Sequence, residues 1–136
     1  MSTASLSNFL LINNDLITGD FSQTLDNYSS TPLVSLSLSK GNYICFLNGN
    51  IKNTSGADIT VRDAIYGLLT PIVSQYQSIV INTVLSSAVN YTNCSSFFIT
   101  LNSTSNVVIS GFYQVTDPGT TCLFSGSYTF LKLTNS

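Results

Sequence analysis

Residues 34–47 read Val34-Ser35-Leu36-Ser37-Leu38-Ser39-Lys40-Gly41-Asn42-Tyr43-Ile44-Cys45-Phe46-Leu47. Val34, Leu36 and Leu38 alternate with serines, so a strand here would carry one apolar and one hydroxylated face. Lys40-Gly41-Asn42 has turn composition, and the run that follows is almost continuously apolar, as in a strand buried among others. Strand, tight turn, strand is the predicted order, and it sets a period-two frame for the rest of the chain.

Working outward, the same period recurs. Asn48-Gly49-Asn50 is expected to be a bulge or a second turn, and 53–58 a loop. Residues 59–69 fit a strand through Ile59, Val61 and Ile65, although Val61, Ile65 and Leu68 also fit a helix face; the β-branched start favours the strand. Ile79, Ile81, Thr83 and Leu85 share a strand face, 90–96 reads as a polar loop, and Phe97, Ile99 and Leu101 alternate. Residues 107–115 are strongly β-prone, with Gly111 marking a bulge or a close contact. Asp117-Pro118-Gly119 is a turn, and 128–133 forms the last strand. About eight strands with hardly a helical signal predict an all-β chain, an antiparallel β-sandwich of jelly-roll type.

Composition bounds the function. The 136 residues include no His, and only 7% are charged, with a formal net charge of −2. All the acidic residues are Asp. General acid–base catalysis, nucleophile activation and transition-metal binding depend on His, Glu, Asp, Cys and Lys, so an enzyme is not expected and no Ser has a His to activate it. No cofactor is expected either. Asp15, Asp20 and Asp26 offer hard oxygen atoms but no Ca²⁺-loop spacing, so no metal site is assigned. Lys40, Lys52, Arg62 and Lys132 are scattered rather than clustered, which argues against nucleic acid as a partner. Ser, Thr or Asn interrupts every apolar stretch, so no membrane span is expected. The N-terminus has no positive n-region, and no secretory leader is expected.

Three cysteines cannot all pair within one chain. Cys45 is expected to be a small buried hydrophobe, while Cys94 and Cys122 fall in turn-rich segments and could meet in space. Asp58, Arg62 and Asp63 suggest an ion pair at a subunit contact. Seven tyrosines suit strand filling better than sugar stacking. Sequons at Asn27, Asn53, Asn90, Asn93 and Asn102 follow from the abundance of Asn, Ser and Thr and carry no functional information. A hydrophobic fraction of 43% with so little charge leaves apolar surface to be hidden between copies.

Two segments carry a resemblance that covers residues 32–133. Ser39-Lys40-Gly41-Asn42-Tyr43 is similar to the "small-Gly-x-Tyr" turn that opens a core strand in tumour-necrosis-factor-like and complement-globular-head-like jelly rolls of large DNA virus virions and phage fibres. The ending Ser127-Tyr128-Thr129-Phe130-Leu131-Lys132-Leu133 resembles the closing strand of that family. The resemblance implies a homotrimer around an aromatic axis, for which Tyr113, Tyr128 and Phe130 are candidates. Residues 31–136 are then the jelly-roll domain. Residues 1–30, outside the family pattern, are an extra strand or an arm docking on a neighbouring subunit through Leu6, Phe9, Leu10, Ile12, Leu16, Ile17 and Phe21.

The expected function is a structural virion protein, a minor capsid or cement component made in the host cytoplasm, with other capsid proteins as partners. The alternative is the receptor- or glycan-binding head of a viral or phage fibre, using loops 53–58, 90–96 and 116–121 for attachment. A secreted ligand of the tumour-necrosis-factor class fits less well, given the unpaired cysteine.

Overall fold

A computed structural model describes residues 16–26, 29–87, 89–115 and 120–133. Within them the chain forms eight strands: β1 (Leu16–Asp26), β2 (Ser29–Leu38), β3 (Gly41–Asn53), β4 (Ile59–Leu69), β5 (Ser74–Leu85), β6 (Asn90–Leu101), β7 (Ser105–Val115) and β8 (Thr121–Leu133). The first sheet has the order β1-β8-β3-β6 and the second β2-β7-β4-β5, every pairing antiparallel. All connections except β4–β5 cross from one sheet to the other, which is the jelly-roll winding predicted from the alternation. No helix among the described residues is long and apolar enough to cross a membrane.

The stretch that decided the fold behaves as read. Leu38 is buried at the end of β2 and Tyr43, Cys45 and Leu47 point inward from β3, while Phe46 faces solvent. The link between β2 and β3 bridges the two sheets instead of closing a hairpin. Gly41 takes a positive φ of 152° there, and a side chain on it would press into the Lys132 stem. Tyr43 Oη donates to the Ser39 carbonyl at 2.8 Å, and Lys132 Nζ donates to Ser39 Oγ at 2.9 Å, 6.0 Å from the centre of the Tyr43 ring. Tyr43 and Lys132 are register partners. The two segments that carry the family resemblance thus meet in space.

The core is a chain of aromatic rings between the sheets. Tyr66 from β4 lies 5.7 Å from Phe21 and 5.2 Å from Phe124, and Phe124 lies 6.2 Å from Tyr113. The Tyr66 hydroxyl spans the sandwich and donates to the Asn50 carbonyl at 2.8 Å, with the Ser125 carbonyl at 3.4 Å. Its position explains a departure from expectation. Asn48-Gly49-Asn50 is neither bulge nor turn but continuous strand, because Gly49, paired with Gly126, leaves the space that the Tyr66 ring fills. At Gly111 it is the close-contact reading that holds: Phe124, Leu33 and Leu25 crowd the place a side chain would take.

Residues 90–96, expected as a loop, are the first half of β6. Their polar side chains are used across the ladder: Thr92 Oγ1 donates to Asn50 Oδ1 at 2.6 Å and Cys94 Sγ to Asn48 Oδ1 at 2.8 Å, as Thr100 does to Asn42 at 2.7 Å. Cys94 is exposed on β6 and Cys122 buried on β8, with β3 between them and their side chains on opposite faces, so they do not meet. All three cysteines are free, and Cys45 is buried as expected.

The 53–58 loop is real and well tied. Asn53, buried, donates through Nδ2 to the Ala57 and Leu85 carbonyls at 2.6 and 3.0 Å and accepts from the Ser55 N–H at 2.8 Å. Its sequon is therefore inaccessible in the fold. Asp58 accepts from the Ser87 N–H at 3.0 Å, which assigns it to loop closure, while Arg62 stands exposed on β4. Asp20 and Asp26 share the outer side of β1 but stand ~20 Å apart at strand rise, too far to hold one ion. Asp15, Tyr28, the turn 117–119 and the side chains at 77–82, including Ile79 and Ile81, lie outside the described residues.

Candidate assembly surfaces

Parity along each strand decides what faces a partner. In β8 the even positions Cys122, Phe124, Tyr128 and Phe130 point into the sandwich, and the odd positions Leu123, Leu131 and Leu133 point out. Of the expected docking residues, Phe21, Tyr113, Tyr128 and Phe130 are therefore core: Tyr128 and Phe130 pack edge to face at 5.9 Å, and Tyr113 Oη lies 3.3 Å from Thr120 Oγ1. Ile17 packs against that core, and only Leu16 presents itself to solvent, 56% exposed. Leu6, Phe9, Leu10 and Ile12 lie outside the described residues. Residues 16–26 of the expected arm or extra strand are β1, paired along its length with β8.

Two apolar surfaces emerge that no single stretch of sequence announces. On the outer side of the first sheet, register places Leu16, Leu131, Ile44 and Phe98 in one row across all four strands. Phe98 is 68% exposed, and Phe46 stands beside the row at 48%. The rows beyond are polar: Asp20, Ser127, Asn48, Cys94, then Ser22, Ser125, Asn50, Thr92. At the β6 edge, Ile72 and Val73 of the β4–β5 link continue the apolar surface past Phe98. Gln75 Nε2 donates to the Phe98 carbonyl at 2.8 Å, blunting that sheet edge.

The second surface is a groove of about 390 Å³ on the outer side of the second sheet, lined by Ser30, Ile65, Gly67, Leu69, Tyr76, Ser110 and Phe112. Tyr76 stands over Gly67 and is 63% exposed. Ile65, Leu69 and Phe112 make it largely apolar, with Ser30 and Ser110 on the β2–β7 side and Tyr76 on the β5 side. Among the described residues no group of three His, Cys, Asp or Glu side chains comes together.

The thiols divide sharply. Burial pushes both Cys45 and Cys122 up to about 12 from the ordinary 9.0. A thiol reagent at neutral pH is expected to label Cys94 alone until the chain unfolds, as mass analysis of labelled protein will report. Because the folded state holds these two protons to higher pH than the unfolded state does, stability is fully present below about pH 9 and falls as pH rises toward 12. Denaturant midpoints across that range should decline monotonically.

No protein-family model and no curated protein matches this sequence. Solved structures do match in shape. The infectious bursal disease virus VP2 subviral particle is similar at TM-score 0.58 and 7% identity, over 89% of this chain and 34% of that one. The T13 particle of the same virus gives 0.59 and 7%, over 89% and 32%. Eiger, a tumour necrosis factor from S. frugiperda, gives 0.47 and 8%, over 89% and 94%. The chain spans about a third of the VP2 chains it matches, and at these identities what it shares with them is the fold.

Proposed function

We propose that this chain is a non-enzymatic structural subunit of a virus particle, a minor capsid or cement component that assembles as a trimer of jelly rolls. The observation that carries the reading is the apolar groove around Tyr76. A large exposed aromatic ring on a flat sheet face, in a chain with almost no charge, is the composition of the anchored centre of a protein contact. The fold shared with a capsid protein supports the particle assignment by analogy. Copies of the chain, or a capsid neighbour, would cover the groove and complete the burial that one sandwich leaves undone.

Mass spectrometry of purified particles is expected to find the chain at a fixed copy number; its absence from them overturns the reading. Sedimentation at micromolar concentration is expected to give a trimer, and a clean monomer removes that part. Tyr76→Ala should weaken self-association about 30-fold, or ~2 kcal/mol. Because the side chain is exposed, unfolding free energy should move by no more than ~0.5 kcal/mol. A glycan-binding head is the second reading, favoured by the hydroxyls of Ser30 and Ser110 beside an exposed ring, since sugars take stacking and hydrogen bonds together. Specific retention of the isolated chain on a glycan array, lost in Tyr76→Ala, would select it.

A further inference from the structure

We infer that the β4–β5 tip of one copy seats Ile72 in the Tyr76 groove of the next, and that repeating this contact closes the trimer. The inference rests on the trimer proposed above and names what fills its groove. The tip is a preformed apolar knob. Thr70 donates its N–H to the Val73 carbonyl at 2.8 Å, and Thr70 Oγ1 accepts from the N–H groups of Ile72 and Val73 at 3.3 and 3.0 Å. Pro71 has no N–H. Every backbone donor of 70–73 is therefore satisfied within the turn, so covering the tip strands none of them and costs little further ordering. Yet Ile72 stands 70% exposed, with Val73 exposed beside it.

The groove is built to the same scale. Along the two central strands of the second sheet, register sets Ile65 opposite Phe112, Gly67 opposite Ser110 and Leu69 opposite Val108. The middle pair is small and its neighbours are large, so the sheet face dips at Gly67 and Ser110, with the Tyr76 ring as one wall. Each flanking row is ~7 Å away, which leaves room for one branched aliphatic side chain. Neither the groove lining nor 70–73 includes a charged residue, so the contact leaves no ion unpaired. The tip projects from the end of the same sheet whose side carries the groove, so a chain cannot fill its own groove and a second copy is required. Direction also selects the tip over the row that holds Phe98. That row is on the opposite side of the sandwich from the groove, and a contact between opposite sides stacks copies in an open line. A contact between an end and a side turns each copy relative to the last, as a closed ring requires.

Disulfide trapping in the full chain tests this. In a Cys94→Ser background, where the remaining thiols are buried, Ile72→Cys is combined with Ser110→Cys in the dip or with Ser30→Cys at the groove rim. Within one chain, Ile72 lies five residues past Gly67, the partner of Ser110, a span of ~15 Å that exceeds the ~7 Å limit for a disulfide. Under mild oxidation by oxidised glutathione at micromolar concentration, one of the two pairs is expected to give linked dimers and trimers on a non-reducing gel, with no band beyond three. Ile72→Cys alone should stay unlinked. Sedimentation of Ile72→Asp, an exposed substitution that would carry a carboxylate into the apolar dip, should show association weakened by about 30-fold or more. A trimer that survives Ile72→Asp, or one in which neither pair links, overturns the inference and leaves the proposed trimer standing. Tip-to-tip linking by Ile72→Cys alone overturns it as well, and a ladder running past three overturns the closed ring. An unsubstituted chain that sediments as a monomer removes the proposed trimer, and the inference with it.

Discussion

Tyr66→Ala is expected to lower the unfolding free energy by about 4 kcal/mol, at the upper end for aromatic truncation in a core. The ring is wholly buried, touches Phe21 and Phe124, and carries a hydroxyl bonded to the backbone of the facing sheet. Burial, the largest influence, raises the phenol well above its usual range, so the hydroxyl is a donor at neutral and mildly alkaline pH. Tyr66→Phe keeps the packing and removes the donor, and should cost about 1.5 kcal/mol. Urea unfolding of both variants checks the pair; an alanine loss no larger than the phenylalanine loss would show that the ring matters less than its hydroxyl.

Gly126→Ala is expected to cost about 3 kcal/mol or more, although it adds one methyl group. That methyl would overlap the Asn48 carbonyl oxygen, a backbone atom fixed in the β3–β8 ladder, so no side chain can turn aside to admit it. The partner glycine behaves differently. At Gly49 the obstacle is the Tyr66 ring, so Gly49→Ala and Tyr66→Ala combined should destabilise by less than the sum of the two, while at Gly126 removing the ring leaves the Asn48 carbonyl in place, and Gly126→Ala with Tyr66→Ala should show no such relief. Unfolding measurements on both double-mutant cycles distinguish the cases.

The fold was legible where one strand carried its own pattern. Ser35 and Ser37 between Val34, Leu36 and Leu38 announce β2 unaided, and the apolar run around Cys45 announces a buried strand. Residues 90–96 did not announce β6 because what makes them a strand is remote: Thr92 and Cys94 satisfy their polar groups on Asn50 and Asn48, more than forty positions earlier. Gly49 misled for the same reason, since its role depends on a ring from β4. The assembly surfaces were less legible still. Period two shows that a strand has two faces without saying which is inside, and aromatic content alone pointed to Tyr113, Tyr128 and Phe130, which parity places in the core. Phe98 and Phe46 became surface residues, and their row exists only once register aligns four strands from opposite ends of the chain.

That alignment also orders events in time. β8 sits between β1 and β3, so the first sheet has an open slot until residues 121–133 have been made. During synthesis, β1 has no ladder partner and β3 has one bare edge, in a polypeptide with almost no charge to keep such edges apart. Completion of this sandwich is therefore a closing step, made by one thirteen-residue strand joining two others on both sides at once. A ribosome-bound chain lacking that strand needs shielding, and a peptide of 121–133 supplied in trans should complete it.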